Sequence, residues 1–202
     1  MAVEYVHLDR RHGRQAAHLH LQGISTGFLS SLGEEFLTVL YETMGQSEGF
    51  IGLAAVEAKE VIGFVAFAKD LSRMYRSVLR SRGLRLLALL ARRLFSPGTT
   101  RRIVETLLYP GRTGHRDLPA AELLAIVVAP AGRGRGVATN LIRMGLKTCA
   151  AQGVQEVKVL VAADNEAANR LYRKCGFQPA GDINSHGVHS RIYVVRTVDS
   201  SA

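Results

Sequence analysis

The chain is poor in cysteine and has no long apolar run. Its 202 residues include two cysteines, Cys149 and Cys175, which show neither metal-ligand spacing nor a disulfide framework. We therefore expect both thiols to be reduced and buried. The apolar runs fall far short of the roughly 18 residues that a membrane span needs. The N-terminus also lacks the basic start and apolar run of a signal peptide, so the default expectation is a cytoplasmic soluble protein.

Several catalytic and ligand-binding motifs are also missing. There is no H-E-x-x-H, no C-x-x-C and no carboxylate cluster, so no metal site is expected. The absence of Gly-Lys-Ser/Thr excludes a P-loop. His18 and His20 diverge on a predicted helix. His186 and His189 fall in a predicted loop, where a histidine is usually solvated, so neither is taken as a catalytic base.

The composition predicts one domain over residues 1–202, because 47% of the residues are hydrophobic. The net charge of +9 is concentrated in residues 71–117, which contain eleven arginines, two acidic residues and no lysine. Arginine suits phosphate and carboxylate groups, so this basic segment indicates an acidic partner. A solvated helix face, with its apolar side packed on the domain, explains the charge equally well.

Apolar periodicity predicts an alternation of strands and helices. In the first half we expect a strand at 3–8, helices at 14–22 and 32–45, a hairpin of 50–58 and 60–68, a helical stretch at 71–95 interrupted at Gly83, and a short helix at 101–109. In the second half we expect strands at 121–128 and 154–161, helices at 134–151 and 164–174, and closing strands at 177–181 and 190–198. This order indicates an α/β layered sheet with a parallel pair near its centre.

Residues 122–138 carry the most specific pattern in the chain. An apolar strand runs into a turn with three glycines and two arginines in five residues, and the turn opens a long amphipathic helix. Glycines let the backbone approach a ligand closely, while unpaired N–H groups and the helix dipole attract phosphate. A dinucleotide-binding turn fits poorly, because Thr139 stands where a third glycine or alanine should pack. A plain strand-to-helix connection would not require so many glycines.

Two motifs together resemble the GNAT superfamily of N-acetyltransferases. Residues 133–138, Arg-Gly-Arg-Gly-Val-Ala, resemble that family's acyl-CoA-binding turn, R/Q-x-x-G-x-G/A. Residues 165–177, which begin Asn-Glu-Ala-Ala-Asn-Arg-Leu-Tyr and end Gly-Phe, resemble its N-x-x-A-x-x-L-Y…G-F helix. The resemblance implies a mixed, mostly antiparallel sheet with a central splayed parallel strand pair and flanking helices. It does not extend to residues 71–117, which we interpret as a helical basic insertion between strands 3 and 4.

The resemblance also implies acetyl-CoA as co-substrate and assigns its binding residues. The backbone of the turn would cradle the pyrophosphate, and the strand before it would run beside the pantetheine arm. The N–H of Val127 or Val128 is the candidate for polarising the thioester carbonyl. The full predicted set is Ile126, Val127, Val128, Arg133, Gly134, Arg135, Gly136, Val137, Ala138, Asn165, Ala168 and Tyr172.

Acetyl transfer to an amine needs two proton transfers, and the resemblance suggests a residue for each. Glu122 lies eleven residues before Arg133, an offset that resembles the base glutamate of the family's histone-acetylating branch. A strand-edge glutamate facing solvent is an equally good interpretation. Tyr172 is the candidate donor to the departing thiolate, with simple packing under the helix as the alternative.

The sequence thus predicts an N-acetyltransferase that moves an acetyl group from acetyl-CoA to a primary amine by direct attack in a ternary complex. A non-catalytic coenzyme A-binding module that docks on an acidic partner is the alternative. Nucleic acid is not expected as a partner, because the basic segment has few aromatic residues for base stacking. If that segment borders the acceptor site, it favours an acidic or anionic acceptor. Assembly as a homodimer stays open.

Overall fold

The computed structural model of the protein describes residues 2–24, 28–91, 118–185 and 188–197. Within these ranges one sheet has the strand order β1-β2-β3-β4-β5-β7-β6. Its strands are β1 (Glu4–His7), β2 (Phe50–Glu57), β3 (Glu60–Ala68), β4 (Ala121–Val128), β5 (Glu156–Ala162), β6 (Gln178–Ser185) and β7 (Val188–Arg196). The α-helices are α1 (Gly13–Gly23), α2 (Phe28–Ser31), α3 (Gly33–Met44), α4 (Leu71–Ala91), α5 (Val137–Ala151) and α6 (Glu166–Lys174). Single 3-10 turns span Arg10–His12 and Pro130–Gly132.

The sheet is mixed, with a single parallel pair at β4 and β5 among the described strands. This confirms the predicted mostly antiparallel sheet with a central parallel pair. The predicted hairpin is β2–β3, and its turn residues Ala58 and Lys59 both have left-handed φ values, 52° and 69°. With two such residues in succession, the backbone twist of the turn matches the twist of the flanking strands.

Two apolar clusters cover the two faces of the sheet. On one face α1, α3 and α4 pack over the strands, with Leu37, Phe64 and Met74 fully buried among them. On the other face α5 and α6 bury residues such as Leu141 and Phe177. Each helix is therefore held by the apolar stripe that the sequence periodicity predicts.

The predicted helix at 134–151 begins three residues later than expected, at Val137. Gly136 has φ 77° and Gly134 has φ 74°, conformations that an α-helix cannot include. Residues 134–136 therefore belong to the turn before α5. β6 is longer than the predicted strand at 177–181, because it pairs with β7 as a hairpin, and β7 begins two residues earlier than the predicted strand at 190–198.

The described part of the basic segment is the helix α4, which follows β3. It is broken at Arg82 (φ −140°, ψ 19°), beside the predicted interruption at Gly83. The remainder, including the predicted helix at 101–109, lies outside the described residues. None of the helices in the described ranges is long and apolar enough to cross a membrane.

A buried histidine links α1 to α3. His20 is only 3% exposed, and its Nδ1 lies 2.7 Å from the Tyr41 hydroxyl. Its Nε2 is buried without a hydrogen-bond partner among the described residues. Burial therefore lowers the pKa of His20 from 6.5 to about 4. No pattern in the sequence distinguishes this histidine from His18, which is exposed.

Protonation of His20 should destabilise the fold at mildly acidic pH. The unfolded chain binds the proton near pH 6.5 and the folded chain only near pH 4, so stability is retained above pH 6.5 and lost as the pH falls toward 4. The full loss is about 3 kcal/mol, taking about 1.4 kcal/mol per pKa unit. Denaturant melts between pH 7 and pH 4.5 should show this slope. His20→Asn, which keeps a group for Tyr41 but does not titrate, should flatten it, and His18→Asn should not.

Candidate active site

A wedge opens between β4 and β5 because their pairing is very short. Only three residue pairs join the strands, Ala121 with Val157, Glu122 with Lys158 and Leu123 with Val159. Beyond them β4 stays paired with β3, while β5 stays paired with β7. The facing edges of the two strands are therefore free of each other along their C-terminal halves.

A β-bulge marks the point where the strands separate. Phe67 of β3 pairs with Leu123 and Ala66 pairs with Ala125, which leaves Leu124 of β4 as the extra residue. A bulge of this kind bends the strand and increases its local twist. The bend turns the second half of β4 away from β5 and so widens the wedge.

The backbone of β4 presents Ile126 and Val128 to the wedge. Ala129 donates its N–H to Ile62 O at 2.8 Å, and hydrogen-bonded pairs alternate along an antiparallel ladder. Val127 is therefore bonded to Phe64 of β3, and its neighbours direct their N–H and C=O groups to the other side. Of the predicted strand residues, Ile126 and Val128 suit backbone pairing with a ligand, while Val127 uses its backbone inside the sheet.

The glycine-rich turn lies at the C-terminal end of β4 and suits an anion. No described group accepts a hydrogen bond from the N–H groups of Gly134, Arg135 or Gly136, and no side chain caps the start of α5. A Cβ added at Gly134 or Gly136 would meet nothing within 4 Å, so the space in front of both residues is open. Free N–H groups at the start of a long helix, with open space before them, fit a pyrophosphate.

The two arginines of the turn have other partners in this structure. Arg135 forms a bidentate ion pair with Glu57 at the end of β2, with N···O distances of 2.9 and 2.7 Å. Arg133 donates from Nε to Val128 O at 3.3 Å. Arg135 thus fastens the turn to the β2–β3 hairpin. The phosphate contacts expected of these side chains remain predictions.

The second motif forms α6, at the C-terminal end of β5. Asn165 caps the helix, because its side chain accepts from the Ala168 N–H at 3.1 Å. Asn169, absent from the predicted set, is buried and donates to Ala162 O and Asn165 O at 3.1 and 2.7 Å. It also accepts from the Tyr193 hydroxyl at 2.9 Å. These bonds fix α6 beside the wedge, and only the pairing of β5 with β7 brings Tyr193 to this place.

Tyr172 is buried on α6 with its ring against Phe177, at a centroid distance of 5.6 Å. Burial, with a smaller effect from the Cys175 thiol, raises its pKa well above the usual value. Its hydroxyl is therefore protonated at neutral pH and can only donate or accept a hydrogen bond. The packing role is evident in the structure, and the role as donor remains a prediction.

Glu122 is buried in the paired part of β4, so the alternative of a solvent-facing glutamate was wrong. It is 8% exposed, and its carboxylate lies 3.8 Å from Lys158 Nζ, which donates to Pro119 O at 2.6 Å. Burial raises the pKa of Glu122, and Lys158 partly offsets this. Tyr75 of α4 is close enough for the Glu122 charge to help burial raise its pKa.

The sequence did not indicate Lys158 or Tyr75 as members of the site. Lys158 is one polar residue in an otherwise apolar strand, and its relation to Glu122 follows from the register of the parallel pair. Tyr75 lies on a helix whose packing against the sheet could not be read from periodicity. Among the described residues no group of three or more His, Cys, Asp or Glu side chains could hold a metal ion.

The two cysteines are free. Cys149 is buried on α5, and burial raises its pKa to about 12. Cys175 is half-buried, and burial raises its pKa as well. Both thiols are therefore largely protonated at neutral pH and poor nucleophiles.

The fold and the wedge can now be compared with known proteins. A model of the acetyltransferase (GNAT) family matches residues 21–177, more than three quarters of the chain. The chain belongs to the GNAT family of acetyltransferases. The match includes the turn at 133–138 and the helix at 165–174, so the predicted resemblance is confirmed.

Curated relatives match this GNAT chain over a limited stretch. The mycothiol acetyltransferase of Streptosporangium roseum is 39% identical over 67 residues, which is 33% of this chain and 20% of that protein. The mycothiol acetyltransferase of a Nocardioides strain is 36% identical over 80 residues, which is 38% of this chain and 27% of that protein. The chain thus matches only about a fifth to a quarter of the length of these relatives.

Solved structures share the fold over nearly the whole chain. An N-acetyltransferase from Staphylococcus aureus superimposes with a TM-score of 0.66 at 15% identity, covering 98% of this chain and 100% of that one. NAA60 from Arabidopsis thaliana, determined in complex with acetyl-CoA, gives 0.62 at 16% identity, with 96% and 98% covered. At such low identity the likeness establishes the GNAT fold alone.

Gly136→Ala should impair acetyl-CoA binding while leaving the fold intact. The methyl group would stand in the open space before the turn, and the left-handed φ of 77° would cost roughly 1 kcal/mol. We expect the Kd for acetyl-CoA, measured by calorimetry, to rise at least about tenfold, because one charge-assisted hydrogen bond is lost. Gly153→Ala is the matched control, since Gly153 has φ 78° and equally open surroundings at the other end of α5. Equal affinities in the two variants would contradict this placement of the pyrophosphate.

Proposed function

We propose that the protein is an acetyl-CoA-dependent N-acetyltransferase that acetylates a primary amine by direct attack. The observation that supports this best is the layout of β4. The strand has an anion-accepting turn at its C-terminal end, a wedge along its free edge and a buried carboxylate where the wedge closes. A thioester donor and a base can thus lie along one strand.

In this proposal the residues near the wedge hold acetyl-CoA by its pyrophosphate and by the amides of its pantetheine arm. The N–H groups of residues 134–138 bind the pyrophosphate, and Ile126 and Val128 pair with the amides of the pantetheine arm. One of their N–H groups polarises the thioester carbonyl, whose oxygen gains negative charge as the amine attacks. A donor fixed in the sheet needs no reorganisation when that charge develops.

Glu122 is the proposed base. A primary amine with a pKa near ~10.4 is mostly protonated at neutral pH and must lose a proton before its nitrogen can attack. Glu122 takes this proton, directly or through water, as the C–N bond forms. Because burial raises the pKa of Glu122, its carboxylate is a stronger base than an exposed glutamate. Lys158 partly offsets the effect of burial on that pKa.

Tyr172 is the proposed donor to the leaving group. When the C–S bond breaks, coenzyme A leaves as a thiolate, and a protonated hydroxyl can donate a hydrogen bond to it. The raised pKa of Tyr172 favours hydrogen-bond donation over complete proton transfer to a thiolate whose pKa is near ~8.5. The products are the amide and coenzyme A, with no covalent enzyme intermediate.

The acceptor amine is open within this proposal. The relatives are named mycothiol acetyltransferases, so the acceptor of those proteins belongs in the first panel of amines. A thiol-release assay with acetyl-CoA and that panel tests the proposed reaction. Tight acetyl-CoA binding without thiol release for any amine would instead favour the non-catalytic coenzyme A-binding module.

The pH profile should identify Glu122 as the base and Lys158 as a residue that lowers its pKa. Lys158→Met removes the positive charge beside the carboxylate, so the acid limb of kcat/KM should move to higher pH. Lys158→Arg keeps the charge and should move the limb less. Glu122→Gln should abolish the limb and lower kcat roughly a hundredfold. An unchanged limb in Glu122→Gln would assign the base to another group.

Tyr172→Phe should lower kcat with little change in the KM for acetyl-CoA. The variant keeps the ring against Phe177 and removes only the hydroxyl, so we expect roughly a tenfold to hundredfold loss. Tyr41→Phe is the matched control, since it removes a buried hydroxyl on the opposite face of the sheet. If the kcat of Tyr172→Phe is instead within about twofold of the wild-type value, Tyr172 has only a packing role.

A further inference from the structure

A groove rich in basic side chains lies beside the paired end of β4 and β5. Its volume is about 830 Å³, a size that accommodates a small organic ligand. We call it the basic groove. It lies between the start of β2, the end of β3 and the exposed face of α4, and its lining comprises Glu48, Gly49, Lys69, Asp70, Arg73, Arg76, Ser77, Arg80, Ser81 and Ala120.

The basic groove has an excess of positive charge, most of it on the helix α4. Arg73, Arg76 and Arg80 follow one another at helical spacing on α4, while Met74 and Val78 hold the opposite side of the helix in the core. Spacings of three and four residues place the three guanidinium groups along one stripe. With Lys69 they make four cations, against the carboxylates of Glu48 and Asp70.

The acidic residues neutralise only part of this stripe. Asp70 lies 3.6 Å from Arg73 and also accepts the Arg73 backbone N–H at 3.0 Å, so it caps the start of α4. Arg76 donates to Ser72 O at 3.3 Å, which leaves its charge uncompensated. The side chains of Arg80 and Lys69 have no hydrogen bond or ion pair with another described residue, although the Lys69 backbone N–H donates to Gly49 O at 2.7 Å.

The groove lies at the proposed amine end of the site. Ala120 on its rim is two residues before Glu122, roughly 7 Å along the strand. Tyr75, next to Arg76 on α4, is close enough to Glu122 for that charge to contribute to the raised pKa of Tyr75. The glycine-rich turn is at the other end of β4, and Val128 lies eight residues, roughly 25 Å, from Ala120. The groove is therefore separate from the proposed pyrophosphate site.

We propose that the basic groove binds an anionic group, a phosphate or a carboxylate, carried by the acceptor amine. This inference rests on the proposed N-acetyltransferase function. Arginine forks bind such groups bidentately, and a fixed row of them orients the acceptor as well as attracting it. An acceptor held by its anion in the groove can extend its amine past Tyr75 toward Glu122. The groove thus selects acceptors by charge.

Direct binding separates this inference from the reaction itself. Inorganic phosphate is titrated into the protein by calorimetry with saturating coenzyme A, so that the glycine-rich turn is not the site detected. The triple variant Arg73→Glu, Arg76→Glu, Arg80→Glu should weaken phosphate binding at least about tenfold, the loss of a bidentate contact. The matched control is Arg14→Glu, Arg85→Glu, Lys147→Glu, with the same change in net charge on exposed residues outside the groove. It should bind phosphate as the wild type does.

Kinetics then identify the source of the anion. Two amine pairs differ by their anionic groups: ethanolamine against O-phosphoethanolamine, and a lysine peptide with flanking glutamines against one with flanking glutamates. If the wild-type KM is lower for O-phosphoethanolamine than for ethanolamine, the acceptor is a phosphorylated small molecule. If it is lower for the peptide with glutamates than for the one with glutamines, the acceptor is an acidic protein segment. In either case the triple variant should raise that KM at least about tenfold and leave the KM for acetyl-CoA within about twofold.

Two results would overturn the inference. One is phosphate binding that is equal in wild type, triple variant and control. The other is thiol release at normal rates by the triple variant, with the same KM as wild type for every anionic amine. Both leave the N-acetyltransferase proposal standing. If the wild-type protein releases no thiol with any amine, the N-acetyltransferase proposal is wrong. The calorimetric titration would still show whether the basic groove binds phosphate.

Discussion

The three-residue pairing between β4 and β5 is the constraint on which the rest of the site depends. It is long enough to hold the two halves of the sheet together and short enough to leave their C-terminal halves apart. The bulge at Leu124 bends β4 at the point of separation. A longer parallel ladder would satisfy the N–H and C=O groups of Ile126 and Val128 within the sheet. Because the ladder stops, the N–H and C=O groups of Ile126 and the N–H of Val128 are available to a ligand, while Val128 O accepts from Arg133 Nε.

The same short pairing explains why a charged pair is buried at the centre of the sheet. Parallel register sets Glu122 beside Lys158, under α4 and away from water. A buried carboxylate without a counter-charge would be costly, and Lys158 reduces that cost while burial still raises the pKa of Glu122. The arrangement gives the proposed base a raised proton affinity and a counter-charge beside its carboxylate.

The two ends of β4 differ in electrostatic character, and in the proposed reaction each end binds a different substrate. At the C-terminal end the groups proposed to bind an anion are backbone N–H groups, held by the left-handed glycines and by the Arg135–Glu57 ion pair. At the N-terminal end they are the arginine side chains of α4. Backbone groups suit a ligand whose shape is constant, such as a pyrophosphate. Side chains on a helix of the basic segment suit a part of the site that sets acceptor choice.

The sequence by itself determined the order of the described elements, the family and the glycine-rich turn after β4, because each depends on local periodicity or on a short motif. The strand at 121–128 and the left-handed glycines of the turn follow from neighbours in the chain. Only the tertiary structure decided that Glu122 is buried beside Lys158, that Val127 turns its backbone to β3, and that Arg73, Arg76 and Arg80 line a groove near Glu122. These facts depend on strand register, on a bulge and on helix packing, which join residues far apart in sequence.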